Sequence, residues 1–252
     1  MEKSQQVILK NWKKWQKKFG QLAQRVIDRT MGNGLMQEEL TADGHDMVTP
    51  EMAAMARQAG AEGCVLLKNN GILPLRSGEN IAVFGRCQLD WFYVGYGSGG
   101  DVHPPYRVNL MEGLHNAGVA VDQELADIYG NWCFSEDNKA DHGWWGHWPM
   151  SHPEMLLGKT TITNAAARCD TAMMVIGRAA GEDRENTLTP GSYYLTDAEK
   201  TMLDALTDAF RHTVVVLNIG GIMDMSWAEN YGDKISSILL TWQGGMESGN
   251  AV

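Results

Sequence analysis

The chain has 252 residues, 44% of them hydrophobic and 21% charged, which is enough for one large or two modest cores and too apolar for wholesale disorder. Its net charge is −10, yet residues 1–30 hold eight Lys/Arg against two Asp/Glu, so the remainder carries −16 and nucleic acid is excluded as the main partner. No apolar run approaches the roughly 20 residues of a membrane span, and the basic N-terminus lacks an apolar h-region, so neither a membrane anchor nor a signal peptide is expected.

In residues 1–30 the apolar positions Ile8, Trp12, Trp15, Phe19, Leu22 and Val26 are spaced 4, 3, 4, 3, 4, which predicts an amphipathic helix with lysines around its other sides. Packing on protein is the favoured use of that stripe, over docking on a partner helix or an anionic membrane. Gly32-Asn33-Gly34 ends the segment, and Thr41 to Thr49 is a polar linker. Thr49-Pro50-Glu51 starts a helix that runs on toward Lys68, where Asn69-Asn70-Gly71 breaks it. Ile81 to Phe84 is a short strand, followed by a loop of aromatics and glycines from Trp91 to Gly100. Asn109 to Leu114 begins another helix, and Val119 to Val121 is a candidate strand. Further strands are expected at Thr171–Gly177, Val214–Ile219 and Ile235–Leu240. Thr196-Asp-Ala-Glu199 is a capping box opening a helix with Met202, Leu203, Leu206 and Phe210 on one side.

Short, nearly all-apolar strands alternating with helical stretches predict an α/β fold, with a doubly wound, mostly parallel sheet sandwiched by helices. The division expected is a helical N-terminal extension and linker over 1–48 and an α/β sandwich over 49–252. Of the four cysteines, Cys64, Cys87 and Cys169 lie in or beside apolar runs and read as core residues. Few cysteines and no export signal imply a cytoplasmic location.

Several chemistries lack their motif. There is no GxxxxGK[ST], no GxGxxG between strand and helix, and no GxSxG. Segment 132–152 holds Cys133, Asp141, His142, His147 and His152 among four tryptophans, but three histidines five apart match no metal-ligand spacing, so no metal or other cofactor is expected. That segment reads as an irregular loop with its aromatics packed on the body, or as a stacking platform for a sugar ring. The charged run Gly181-Glu182-Asp183-Arg184-Glu185-Asn186 directly follows a strand, where ligands sit in open α/β sheets. It is either a solvated loop with local ion pairs or a site for acid–base chemistry. Asp183 and Glu185 would favour a protonated Glu182, whereas Arg178 and Arg184 would favour the ionised form.

At this point the residues resemble a known family. Ala61-Glu-Gly-Cys-Val-Leu-Leu-Lys-Asn-Asn-Gly-Ile-Leu-Pro-Leu75 is similar to a signature of glycoside hydrolase family 3. Ile81 to Gly85 with Tyr96-Gly-Ser-Gly-Gly100, Val214 to Asp224, and Gln243 to Val252 resemble three further blocks, so the likeness covers about residues 50–252. In that family, of β-glucosidases and relatives, a (β/α)8 barrel carries the nucleophilic aspartate in a Ser-Asp-Trp or Ser-Asp-Tyr context, and an α/β sandwich lends the acid/base glutamate. Neither tripeptide occurs here, and the chain looks like the sandwich alone. The resemblance implies that Glu182 is the acid/base, that Asp183 and Arg184 bind sugar hydroxyls or brace the loop, that Ser98 contacts sugar, and that the nucleophile lies on an absent barrel. Here Glu182 abuts Asp183-Arg184, whereas many members insert a glycine and one more residue, so the loop is shorter and Glu185 is the fallback. With only about 50 residues before the sandwich, a member of inverted domain order, truncated before its barrel, is expected.

The function expected is therefore that of the non-barrel lobe of a retaining β-glucosidase-type hydrolase, inactive in isolation, whose partners are a β-glucoside or oligosaccharide and the barrel. A homodimer is compatible with the sequence. The alternative is a stand-alone carbohydrate-binding or interaction module.

Overall fold

The structure, a computed structural model, describes residues 48–252 apart from Ser77, 98–101, His103, His142, Trp144, Trp145 and Asp183. The helix expected over residues 1–30 lies outside the described residues. The domain below is Pro50–Val252. Its strands are β1 (Val65–Asn69), β2 (Asn80–Phe84), β3 (Ala120–Val121), β4 (Thr171–Arg178), β5 (His212–Ile219) and β6 (Ser237–Leu240). They form one sheet in the order β1-β6-β5-β4-β2-β3. All neighbours are parallel except β1, which runs antiparallel to β6.

The central strands are apolar throughout because both of their faces are covered. Every residue of β4 is buried, as are seven of eight in β5. Alternation then sorts the side chains. Ile81, Val83, Met173, Val175, Val214 and Val216 face one layer, which includes Trp91, Phe92, Leu110 and Leu114. Ala82, Phe84, Met174, Ile176, Val215 and Leu217 face the other, which includes Leu125, Tyr129, Ile162, Leu203 and Leu206.

The helices are α1 (Pro50–Gly63), α2 (Leu110–Asn116), α3 (Gln123–Cys133), α4 (Lys159–Arg168), α5 (Asp197–Ala209), α6 (Ser226–Tyr231) and α7 (Ser248–Ala251). Side-chain caps fix where three of them begin. Asn109 with Glu112 and Thr196 with Glu199 form capping boxes on α2 and α5, and the Asp122 carboxylate accepts from Leu125 N–H at the start of α3. Arg168 at the end of α4 also pairs with Asp122 at 2.6 Å, which ties the two helices together. This carboxyl is held below the usual carboxylate range: burial would raise it, but Arg168 and the cap bonds prevail.

The first helix does not run on toward Lys68. It stops at Gly63, and Val65–Asn69 pairs with β6 as an edge strand, because the Val-Leu-Leu run gains more from the sheet than from a helix. The helices α3 and α4 are not among the expected elements, although the Asp122 N-cap is a local signal for α3. Cys87, Cys133 and Cys169 are buried as core residues, but Cys64 is only half-buried, and all four thiols are free. Burial pushes the Cys133 thiol up to about 12 and that of Cys169 up to about 11, so neither is a thiolate nucleophile at neutral pH.

Candidate functional site

The loops after β2, β4, β5 and β6 meet at the carboxyl edge of the sheet, and β4 supplies the central one. Its last residue, Arg178, does not face the charged loop. The buried guanidinium makes two 2.7 Å bonds to the Glu199 carboxylate and donates also to the carbonyls of Gly177, Ser192 and Tyr194. Its charge is spent inside the domain, which removes it from the balance expected around Glu182.

Beyond Arg178 the chain emerges beside the aromatic loop that follows β2. Tyr96 N–H donates to Ala180 O at 2.8 Å, Gly181 bridges Tyr96, and Glu182 N–H donates to Tyr96 O at 3.1 Å. Glu182 is thus exposed on a backbone pinned on both sides of its glycine. Its side chain crosses Gly97, which has φ +109°. A Cβ on Gly97 would lie 2.4 Å from Glu182 Cβ and 3.1 Å from its Oε2, so the glycine is needed for both conformation and space.

Arg184 is half-buried and donates from Nε to the Trp148 carbonyl at 2.9 Å. The Trp148 ring stacks on Tyr96, with centroids 5.5 Å apart and planes 2° from parallel. Asn186 donates to Ile222 O at 2.8 Å, which holds the loop's far end to the segment after β5. The structure therefore brings together Glu182, Arg184, Tyr96, Gly97 and Trp148. Glu185 is exposed on the same loop, whereas Asp183 and Ser98 lie outside the described residues.

Of the tryptophan-rich segment, the described Trp132 and Trp148 pack on the body. Trp148 is buried, and the Arg86 guanidinium sits 5.1 Å over the Trp132 ring. Arg86 also donates to the carbonyls of Asn138 and Pro153, and its own N–H donates to Glu154 Oε2 at 2.7 Å. Glu154 accepts a second bond from Met155 N–H at 2.8 Å, yet burial dominates and pushes its carboxyl up to about 7. Among the described residues no group of His, Cys, Asp and Glu is arranged to hold a metal ion.

Two residues that shape this edge were not singled out from sequence. Asn218, buried near the end of β5, accepts from Phe92 N–H at 2.7 Å and donates to the carbonyls of Phe92 and Trp242. An asparagine inside a Val-Val-Val-Leu-Asn-Ile strand was the available signal, since a buried amide demands partners. Gln243 donates to Arg178 O at 3.3 Å and fills the space beside Gly220. A hollow of about 940 Å³ lies at the opposite edge, lined by Asn80, Arg168, Thr171 and His212, away from the Glu182 loop.

Comparison with known proteins agrees with this fold. Residues 64–252 match the glycosyl hydrolase family 3 C-terminal domain. The chain is 38% identical over 199 residues to a β-glucosidase of Ruminococcus albus, covering 79% of this chain and 21% of that protein. It is 35% identical over 219 residues to β-glucosidase A of Butyrivibrio fibrisolvens, covering 77% and 25%. A β-glucosidase structure from Paenibacillus barengoltzii superimposes with a TM-score of 0.77 at 39% identity, over 81% of this chain and 22% of that one. β-Glucosidase 3B of Thermotoga neapolitana, in complex with α-D-glucose, gives 0.70 at 32%, over 80% and 28%. The chain thus spans about a quarter or less of the curated relatives named here.

Proposed function

Because this chain belongs to the glycosyl hydrolase family 3 C-terminal domain family, we propose that it is the non-barrel lobe of a retaining β-glucosidase-type enzyme, and that Glu182 is the acid/base. The observation that carries this reading is the exposure of Glu182 at the carboxyl edge of the sheet, on a backbone held by Tyr96. A proton donor must meet the glycosidic oxygen in fixed geometry, and a pinned loop facing outward meets that need. In the first step Glu182 protonates the leaving oxygen while a carboxylate on a (β/α)8 barrel attacks the sugar. In the second it takes the proton of the attacking water. Arg184 braces the loop through Trp148, while Asp183 and Ser98 are assigned to sugar hydroxyls.

The same reading divides the chain into an extension and linker over 1–48 and a sandwich over 49–252. The partners are a terminal β-D-glucoside or oligosaccharide and the barrel, with no nucleic acid or membrane, in the cytoplasm. Among the described residues no helix is long and apolar enough to cross a membrane.

In a polypeptide joining this chain to a catalytic barrel, Glu182→Ala should lower kcat for an aryl β-glucoside by about 10²- to 10⁴-fold, the span of one general acid–base group. Azide should restore part of that rate, and Glu185→Ala should leave it near wild type. The 252-residue chain alone should hydrolyse none. Near wild-type turnover by Glu182→Ala would move the role to Glu185 or off the loop.

A further inference from the structure

A cleft of about 650 Å³ is lined by Trp91, Phe92, Tyr93, Tyr96, Arg107 and Phe134, and none of the described residues of 181–186 lines it. Its floor is rigid. Trp91 donates from Nε1 to Ser248 Oγ at 2.8 Å, and the main chain of Phe92 is bonded on both sides to the Asn218 amide. The His152 ring stacks on Phe92 at 5.1 Å and 14°. On one wall the Arg107 guanidinium lies 5.0 Å over the Tyr93 ring and donates from one nitrogen to Tyr93 Oη at 2.8 Å. That bond uses one of five donors, and among the described residues the others are uncommitted. Phe134, the C-cap of α3, also lines the cleft and is 72% exposed.

Aromatic faces beside a pre-positioned arginine suit a ligand with both C–H faces and hydroxyls. The charged groups lining the cleft are of both signs, Arg107 against Asp90 and Glu112, so the cleft offers no field for a strongly charged ligand. Its volume falls within the roughly 300–1,000 Å³ of small-ligand sites. We propose that the cleft is a binding site for an uncharged β-linked oligosaccharide, separate from the Glu182 loop, with Phe134 and Tyr93 stacking on sugar rings and Arg107 donating to hydroxyls. The choice of a β-glucan rests on the function proposed above, whereas the existence of the site does not.

The test is calorimetric titration of the 252-residue chain with cellobiose and cellotriose, alongside its summed tryptophan fluorescence, with Trp91→Phe as the control that isolates the contribution of Trp91. Saturable millimolar binding is expected. Phe134→Ala and Arg107→Ala should each weaken it about tenfold, as loss of a stacking face or a charged donor does. Glu182→Gln should leave the affinity unchanged. Phe134 is exposed, so its truncation spares the fold, and circular dichroism verifies this for each variant. Absence of saturation with both sugars overturns the proposal while leaving the role of Glu182 to its own assay. An equal loss of binding in Glu182→Gln and Phe134→Ala overturns the separateness of the site.

Discussion

Gly97 and Glu182 occupy one space, and the missing Cβ at the first lets the carboxylate of the second lie across the loop. At φ +109° an alanine would be strained even without a neighbour, and here its methyl would meet Glu182 Cβ at 2.4 Å. Gly97→Ala should cost about 1–3 kcal/mol in denaturant unfolding, the range for a residue forced into such a conformation. It should also alter hydrogen exchange at the Glu182 amide, which donates to Tyr96. Glu154 makes a different prediction. Its carboxyl is raised to about 7 by burial, against the two backbone bonds that favour its charge. The folded state therefore binds its proton more tightly than the unfolded state does. The stability this proton brings is fully present below the ordinary carboxylate range near 4.5 and is lost as pH rises through about 7. Measured against Glu154→Gln, which cannot titrate, the wild type should lose stability between about pH 5 and 8. A constant difference between the two over that range would remove Glu154 from the pH response.

At the scale of elements, the joint between β4 and α5 carries the charged loop. Arg178 at the end of β4 and Glu199 in the first turn of α5 are buried and doubly bonded, and Glu199 also closes the capping box with Thr196. Removing one partner leaves an uncompensated buried charge, so Glu199→Ala or Arg178→Ala should cost about 3–5 kcal/mol in urea unfolding. Replacing both by methionine should cost less than either single change, because the desolvation penalty leaves with the pair. The Thr196 box was legible from sequence because its spacing is local. The partner of Arg178 was not, since a contact across 21 residues has no local signature. Strand β1 has no local signature for the same reason. Its pairing with Ser237–Leu240 is decided by the sheet, while the alanine-rich stretch before it promises a longer helix. The position of Glu182 after its strand was legible, but not the Tyr96–Trp148 stack that braces it, which joins loops 52 residues apart in sequence.

At the scale of the whole molecule, the class of the fold was legible because β4 and β5 are buried on both faces, and continuous apolar runs mark that condition. The edges of the sheet were not, because an edge is defined by what fails to pair. Strand β1 is such an edge, and its three consecutive apolar residues Val65, Leu66 and Leu67 are 42%, 50% and 49% exposed. Helix α1 beside it in sequence buries none of its residues and leaves Met52 and Met55 exposed. Edge strands usually carry charge, a bulge or a cover, since their free N–H and C=O groups invite another strand. A bulge is present between Leu66 and Lys68, but the apolar run remains uncovered among the described residues. The 252-residue chain should therefore self-associate as its concentration rises, with a sedimentation coefficient that climbs across a dilution series. Placing lysine at Leu66 and Leu67 charges the edge without touching a buried residue, so the double variant should sediment as a monomer with an unchanged circular dichroism spectrum. Association that persists in the double variant would assign it to another surface, and a wild type that stays monomeric would show that the bulge and Lys68 suffice to guard the edge.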